Sequence, residues 1–209
     1  MSFDTVAPFY RILERLVFGR ALQRARTAMI SCLRKPARAL IAGEGDGRFL
    51  TRFIQEFPAC DVTCVDASRT MLELARERLG AAAARVRFVC ADVRGPLALE
   101  GAYDVIITHF FLDCFDATEL PDVVAKLAMA ARPDAQWLLA DFTIPPGGST
   151  RYMARALVPL MYGFFRVTTG ISASRLIDPA PALAANGFAL STRNQFAGGM
   201  IASDVWARS

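Results

Sequence analysis

The stretch Arg38-Ala-Leu-Ile-Ala42, followed at once by Gly43-Glu-Gly-Asp-Gly47 and then by Phe49, Leu50, Phe53, Ile54 and Phe57, constrains this chain more than any other feature. The first run is too short for a core helix and suits a buried strand. The spacing of the later apolar residues places them on one helical stripe. Three glycines at alternate positions between the two let the backbone turn sharply and let a ligand approach it closely. Strand, glycine turn and helix together open a parallel sheet whose loops at the carboxyl ends of the strands carry a ligand crevice.

The alternation continues along the chain. Asp61 to Asp66 reads as a second strand, and Ser68 to Leu79 as a helix that Gly80 stops. Val86 to Ala91 reads as a third strand. Tyr103 to Thr108 reads as a fourth, buried on both faces because its apolar residues run together. Asp116 and Glu119 have capping-box spacing ahead of Leu120, Val123, Val124, Leu127 and Ala128, which predicts a helix. Gln136 to Phe142 is expected as the fifth strand. Near the C-terminus a helix around Pro179 to Ala185 precedes strands at Phe188 to Phe196 and Met200 to Ala207, with Gly198-Gly199 as a hairpin-type turn. The expected fold is α/β: a Rossmann-like, seven-stranded, mostly parallel sheet with helices on both faces and an antiparallel final strand.

The 209 residues suit one domain, expected to span 1–209. A helical arm over 1–35 rests on Phe9, Ile12, Leu13, Leu16 and Val17 at helical spacing, and residues 149–170 read as an apolar, lid-like insertion. The apolar fraction of 54% excludes a mainly disordered chain. The apolar runs fall short of the ~20 residues that span a bilayer, and the N-terminus lacks the pattern of a secretion signal, so a cytoplasmic location is expected. Five scattered cysteines without a Cys-x-x-Cys pair argue against a disulfide framework and against a zinc site, so no metal is expected. Basic residues between Arg11 and Arg38 form either a solvated helical face or a surface for peripheral contact with an anionic membrane. The arginines are dispersed and no aromatic-plus-basic platform is present, which disfavours nucleic acid as a partner.

Residues with chemistry gather at the expected carboxyl ends of the strands. Asp66 closes the second strand 21 positions beyond Gly45, where a carboxylate accepts hydrogen bonds from both hydroxyls of an adenosine ribose; the competing reading is a helix cap. Asp92 ends the third strand where it meets an adenine amino group, with Met71 and Val93 to sandwich the ring; an ordinary turn residue is the alternative. The Gly43-x-Gly45-x-Gly47 spacing departs from the Gly-x-Gly-x-x-Gly dinucleotide fingerprint because Arg48 holds the sixth place, and no phosphate-binding Gly-Lys-Ser/Thr occurs. His109, the one histidine, stands at the end of the fourth strand as either a general base or a packed core residue, and Asp113 is a weaker candidate in the same turn.

Gly43-Glu-Gly-Asp-Gly47, Val65-Asp66-Ala-Ser, Ala91-Asp92-Val93, Tyr103-Asp-Val-Ile-Ile107 and Arg132-Pro-Asp-Ala, in this order, resemble the motifs of class I S-adenosylmethionine (SAM) dependent methyltransferases. The resemblance implies SAM as cofactor, held by Gly43, Glu44, Gly45, Asp66, Ala67, Met71, Asp92, Val93 and Thr108. It departs at Ala42, where the family carries an acid that holds the methionine amino group, and Glu44 is the substitute at hand. Ala7-Pro-Phe-Tyr10 and Gly187-Phe188 through Gly199-Met-Ile-Ala202 are similar to quinone-biosynthesis and phospholipid methyltransferases, which places Tyr10 over the methionine end of SAM.

Methyl transfer to oxygen or carbon of a small, apolar, aromatic or quinol-like acceptor is then the expected activity. Amine or phospholipid N-methylation at a membrane surface, or a non-catalytic SAM-fold binding protein, are the alternatives. The apolar side chains between Tyr152 and Phe165 suit a lid over such an acceptor, plain core packing or a homodimer interface.

Overall fold

The computed structural model describes residues 20–145, 147 and 175–208. Most of the expected arm, including Tyr10, and the expected lid over 149–170 lie outside the described residues.

Seven strands form one sheet: β1 (Arg38–Ala42), β2 (Asp61–Asp66), β3 (Val86–Cys90), β4 (Tyr103–His109), β5 (Ala131–Phe142), β6 (Phe188–Phe196) and β7 (Ile201–Arg208). Their order is β3-β2-β1-β4-β5-β7-β6. The first five run parallel, and β7 inserts antiparallel between β5 and β6. The helices are α1 (Ala21–Thr27), α2 (Arg48–Glu56), α3 (Arg69–Leu79), α4 (Leu120–Met129) and α5 (Ala180–Ala185).

Successive residues of a strand point to opposite faces, and the core divides accordingly. Leu40, Ala42, Ile106, Trp137 and Leu139 pack with Leu120, Val123, Val124 and Leu127 of α4 and Leu183 of α5. Ala39, Ile41, Val105, Ile107 and Leu138 face the other way, onto Phe49, Leu50, Phe53 and Ile54 of α2 and Leu72 of α3. A smaller cluster sets Leu22 and Ala25 of α1 against Ala140 and Ile201.

The Tyr103-Asp104 pair at the start of β4 is structural. The Tyr103 hydroxyl donates to Thr63 Oγ1 of β2 at 3.0 Å in the buried interior. Asp104 Oδ2 accepts the backbone N–H groups of Ala37 (2.9 Å) and Arg38 (2.8 Å), which ties the entry of β1 to β4. At the other end of the layer, Asp116 Oδ1 accepts the N–H of Glu119 at 3.0 Å and Glu119 Oε2 accepts that of Asp116 at 3.5 Å, the reciprocal capping box expected ahead of α4.

β5 starts at Ala131, earlier than the expected Gln136. Pro133 has no N–H to give to a ladder, yet it sits where pairing with β4 is irregular, between the Tyr103 and Val105 contacts. β6 forms an exposed edge rich in polar residues, pinned by Arg193, whose Nε and Nη2 donate to Asp204 at 2.8 and 2.6 Å. No helix among the described residues is long and apolar enough to cross a membrane.

Tyr103→Phe removes one hydroxyl and strands the Thr63 oxygen. We expect a loss of about 1–2 kcal/mol in urea denaturation, the usual penalty for leaving such a group unmet. A loss below about 0.5 kcal/mol would show that Thr63 finds another partner.

Candidate active site

The carboxyl ends of β1, β2, β3 and β4 meet along one edge, and the glycine turn lies at its middle. Gly43, Gly45 and Gly47 have φ of 69°, 73° and 81°, left-handed values that favour glycine. A side chain at Gly47 would lie 2.8 Å from the Ala75 Cα, so glycine there lets α3 close on the turn. At Gly45 a side chain would meet nothing within 4 Å, so the turn opens onto free space there.

Asp66 borders that space and binds the walls together. Its Oδ2 accepts the Gly45 N–H at 3.1 Å and its Oδ1 accepts the Ser68 N–H at 2.9 Å. The residue that caps α3 is Ser68, whose hydroxyl accepts the Met71 N–H at 3.2 Å. The carboxylate is thus fixed beside the opening, with exposed Ala67 and half-buried Met71 on the far wall. An acidic acceptor next to a bare backbone and a soft thioether fits an adenosine, whose ribose presents a pair of hydroxyl donors.

The loop after β3 holds Asp92 and Val93. Arg94 grips Asp92 from its Nε (3.0 Å to each oxygen) and Nη2 (2.6 Å), and this guanidinium holds the Asp92 carboxyl below the usual range. Val93 is only 4% exposed and packs with Val65 and Leu112, so its side chain supports the edge from beneath. Lys126 of α4 was not singled out from the sequence. Its ammonium donates to the carbonyls of Val93 (2.6 Å), Arg94 (3.0 Å) and Gly95 (2.7 Å), and so fastens the whole loop to the helix. One lysine at helical spacing among apolar residues gives no sign of this in sequence.

At the end of β4 the expected residues part company. The Thr108 side chain is committed to the interior: it is fully buried and its Oγ1 accepts the Trp137 Nε1–H at 2.8 Å, which leaves only its backbone for the crevice. His109 is 6% exposed, with the Phe49 ring edge-on at 4.4 Å between centroids. Burial, aided by the charge of Arg26, pushes its imidazole well below the ordinary value, so it stays neutral. Phe111 is a further residue that sequence reasoning missed. A Cβ on Gly43 would lie 2.1 Å from its ring, so the ring rests directly on the first glycine. Behind it, the buried Asp141 carboxylate accepts the Asp113 N–H at 3.2 Å. Burial raises both acids, and sharing a proton avoids two adjacent buried charges.

Residues 39–134 match the model of a methyltransferase domain family. That match takes in the glycine turn and the strand ends described above, and it supports a class I SAM-dependent methyltransferase. A demethylmenaquinone methyltransferase of Thermus thermophilus is 29% identical over 149 residues, covering 70% of this chain and 67% of the relative. A ubiquinone/menaquinone biosynthesis C-methyltransferase UbiE of Dinoroseobacter shibae is 26% identical over 148 residues, and the match spans 58% of that protein's length. The structure of Burkholderia thailandensis 1,6-didemethyltoxoflavin-N1-methyltransferase, with its namesake compound and S-adenosylhomocysteine bound, superposes with a TM-score of 0.68 over 99% of this chain and 86% of that one, at 20% identity. At that identity the likeness is one of fold.

Against this methyltransferase frame, Ala42 is fully buried and cannot reach a cofactor amino group. Glu44 has a task of its own: Oε1 accepts the Leu50 N–H at 2.8 Å, capping α2 where Gly47 offers no side chain. Loss of water around this carboxyl raises its pKa from 4.5 to about 8, against the opposing pull of the Leu50 N–H and of Arg26. A folded-state pKa above the unfolded one means that the folded chain holds the extra proton, so this group's contribution falls as pH rises from 4.5 to about 8. Glu44→Gln should therefore flatten the fall in stability across that window, measured by denaturation at a series of pH values; an unchanged slope would show that Glu44 ionises normally. Lys126→Met keeps the apolar stem and removes three hydrogen bonds. We expect about tenfold weaker S-adenosylhomocysteine binding by calorimetry, with wild-type affinity as the contrary result.

Proposed function

We propose that this chain transfers a methyl group from SAM to oxygen or carbon of a small, largely apolar, aromatic or quinol-like acceptor. The observation that carries the reading is the aromatic rim beside the glycine turn. Phe111 lies against Gly43 and pairs with buried Phe115 at 5.1 Å between ring centroids, while Phe110 and Phe142, at the ends of β4 and β5 on the other face of the sheet, pair at the same 5.1 Å. Such a rim suits a flat, greasy ring. Two quinone-biosynthesis methyltransferases among the relatives support the same acceptor class.

When bound, SAM supplies a methyl group that is already activated, so the protein's share is mainly positional. Asp66, Gly45, Ala67 and Met71 hold the nucleoside half, with Lys126 fixing the adjoining loop. Phe110 and Phe111 orient the acceptor ring and keep water from it. Burial leaves His109 a weak base, which favours acceptors whose hydroxyl ionises readily, such as phenols and quinols.

Calorimetric titration with SAM, S-adenosylhomocysteine and NAD tests the cofactor. Both sulfur ligands should bind in the micromolar range and NAD should not. Asp66→Ala should weaken both by at least about tenfold, because a ribose hydroxyl left without its acceptor costs affinity of this order. Absence of SAM binding would end the methyltransferase reading. Radiolabelled methyl transfer to a panel of phenols, quinols and amines then tests the acceptor class, and turnover of amines alone would overturn the oxygen or carbon assignment.

A further inference from the structure

Asp66, which closes β2, and His109, which closes β4, stand on either side of β1 and its glycine turn. Neighbouring strands lie about 4.8 Å apart, so roughly 10 Å separates the two strand ends. In SAM about eight bonds run from a ribose hydroxyl through sulfur to the carboxylate carbon, a reach of roughly 10 Å when extended. With its base turned to the loop after β3, a nucleoside held at Asp66 sends its amino-acid end across the turn towards Gly43, Glu44 and the end of β4. Gly43, Gly45 and the adjoining Phe110 are each half-buried, so this path keeps contact with solvent.

That end carries a carboxylate and an ammonium, and the protein treats them unequally. Ala42 is fully buried and brings no charge. Glu44 spends Oε1 on the Leu50 N–H, and burial raises its pKa to about 8, so near neutral pH it gives an ammonium little electrostatic hold. A cation stands close by instead. Half-buried Arg26 of α1 has its guanidinium carbon 5.0 Å from the centre of the Phe110 ring, and its charge acts on both Glu44 and His109. It therefore overlooks the ends of β1 and β4 together. A guanidinium presents its N–H donors as a planar fork that a carboxylate meets two at a time, in the strongest class of hydrogen bond. We propose that Arg26 grips the carboxylate of SAM, and that this chain recognises the cofactor's amino-acid end through that group rather than through the ammonium. The same charge repels the ammonium, which widens the preference. The assignment rests on the SAM-dependent reading and deepens it to the way the cofactor's amino-acid end is held.

The test reads binding alone and needs no acceptor. The full-length protein is titrated by calorimetry with S-adenosylhomocysteine, with its decarboxylated analogue, which keeps the amine, and with its deaminated analogue, which keeps the carboxylate. Loss of the carboxylate should weaken binding about thirtyfold, and loss of the amine by no more than about threefold. In Arg26→Gln, S-adenosylhomocysteine and the deaminated analogue should each bind about thirtyfold more weakly, while the decarboxylated analogue stays within about twofold or tightens, because it makes no use of the guanidinium. Arg26→Lys keeps the charge without the fork and should recover part of the loss. A decarboxylated analogue that binds as tightly as S-adenosylhomocysteine, or a deaminated analogue that binds more weakly than the decarboxylated one, would overturn the assignment. Equal weakening of all three ligands in Arg26→Gln would overturn it too, by showing a purely structural role for Arg26. Failure of the parent protein to bind S-adenosylhomocysteine would instead remove the methyltransferase reading beneath it.

Discussion

The structure depends on two central strands that have no access to water. Ala39 to Ala42 of β1 and Val105 to Thr108 of β4 are 1% exposed or less. Their backbone groups must be satisfied by strands on either side, because an unmet peptide group in such an interior is costly. Each strand also needs an apolar layer above and below. That requirement places α1, α2 and α3 on one face and α4 and α5 on the other. Parallel pairing then demands long crossovers, and the loops that begin each crossover gather at one edge. Two polar pairs are matched within the slab, Tyr103 with Thr63 and Trp137 with Thr108.

At the ligand edge, order comes from charged and polar side chains that bind backbone. Asp66 joins the glycine turn to the start of α3, Lys126 holds three carbonyls of the loop after β3, and Glu44 caps α2. Each tie connects a loop to a helix or strand that the core already fixes. The loops are therefore shaped before a ligand arrives, which lowers the entropy cost of binding. The ends of β4 and β5 are built differently, from paired phenylalanine rings.

Strand and helix order was legible because burial on two faces leaves continuous apolar runs and burial on one face leaves a helical period. The glycine turn and Asp66 were legible because left-handed φ and a strand-end carboxylate are tied to residue type. Thr108 was not, since a side chain at a strand end can face either the crevice or the core, and only the position of Trp137 decides. Lys126 and Phe111 carry no local signal: each matters for a partner 31 or more residues away. The start of β5 was misplaced because Arg132-Pro133 reads as a turn, whereas an irregular stretch of ladder accommodates the proline.

By itself, the sequence determined the α/β class, the strand order along the chain, the glycine turn and the carboxylate that closes the second strand beside it, because these follow from hydrophobic period and backbone permission at each residue. The tertiary structure alone decided that Glu44 caps α2 while Asp66 ties the glycine turn to α3, that Thr108 turns to the core, and that His109 is enclosed. Those outcomes depend on register and on packing between segments distant in sequence, where a shift of one residue along a strand sends the same side chain to the opposite face.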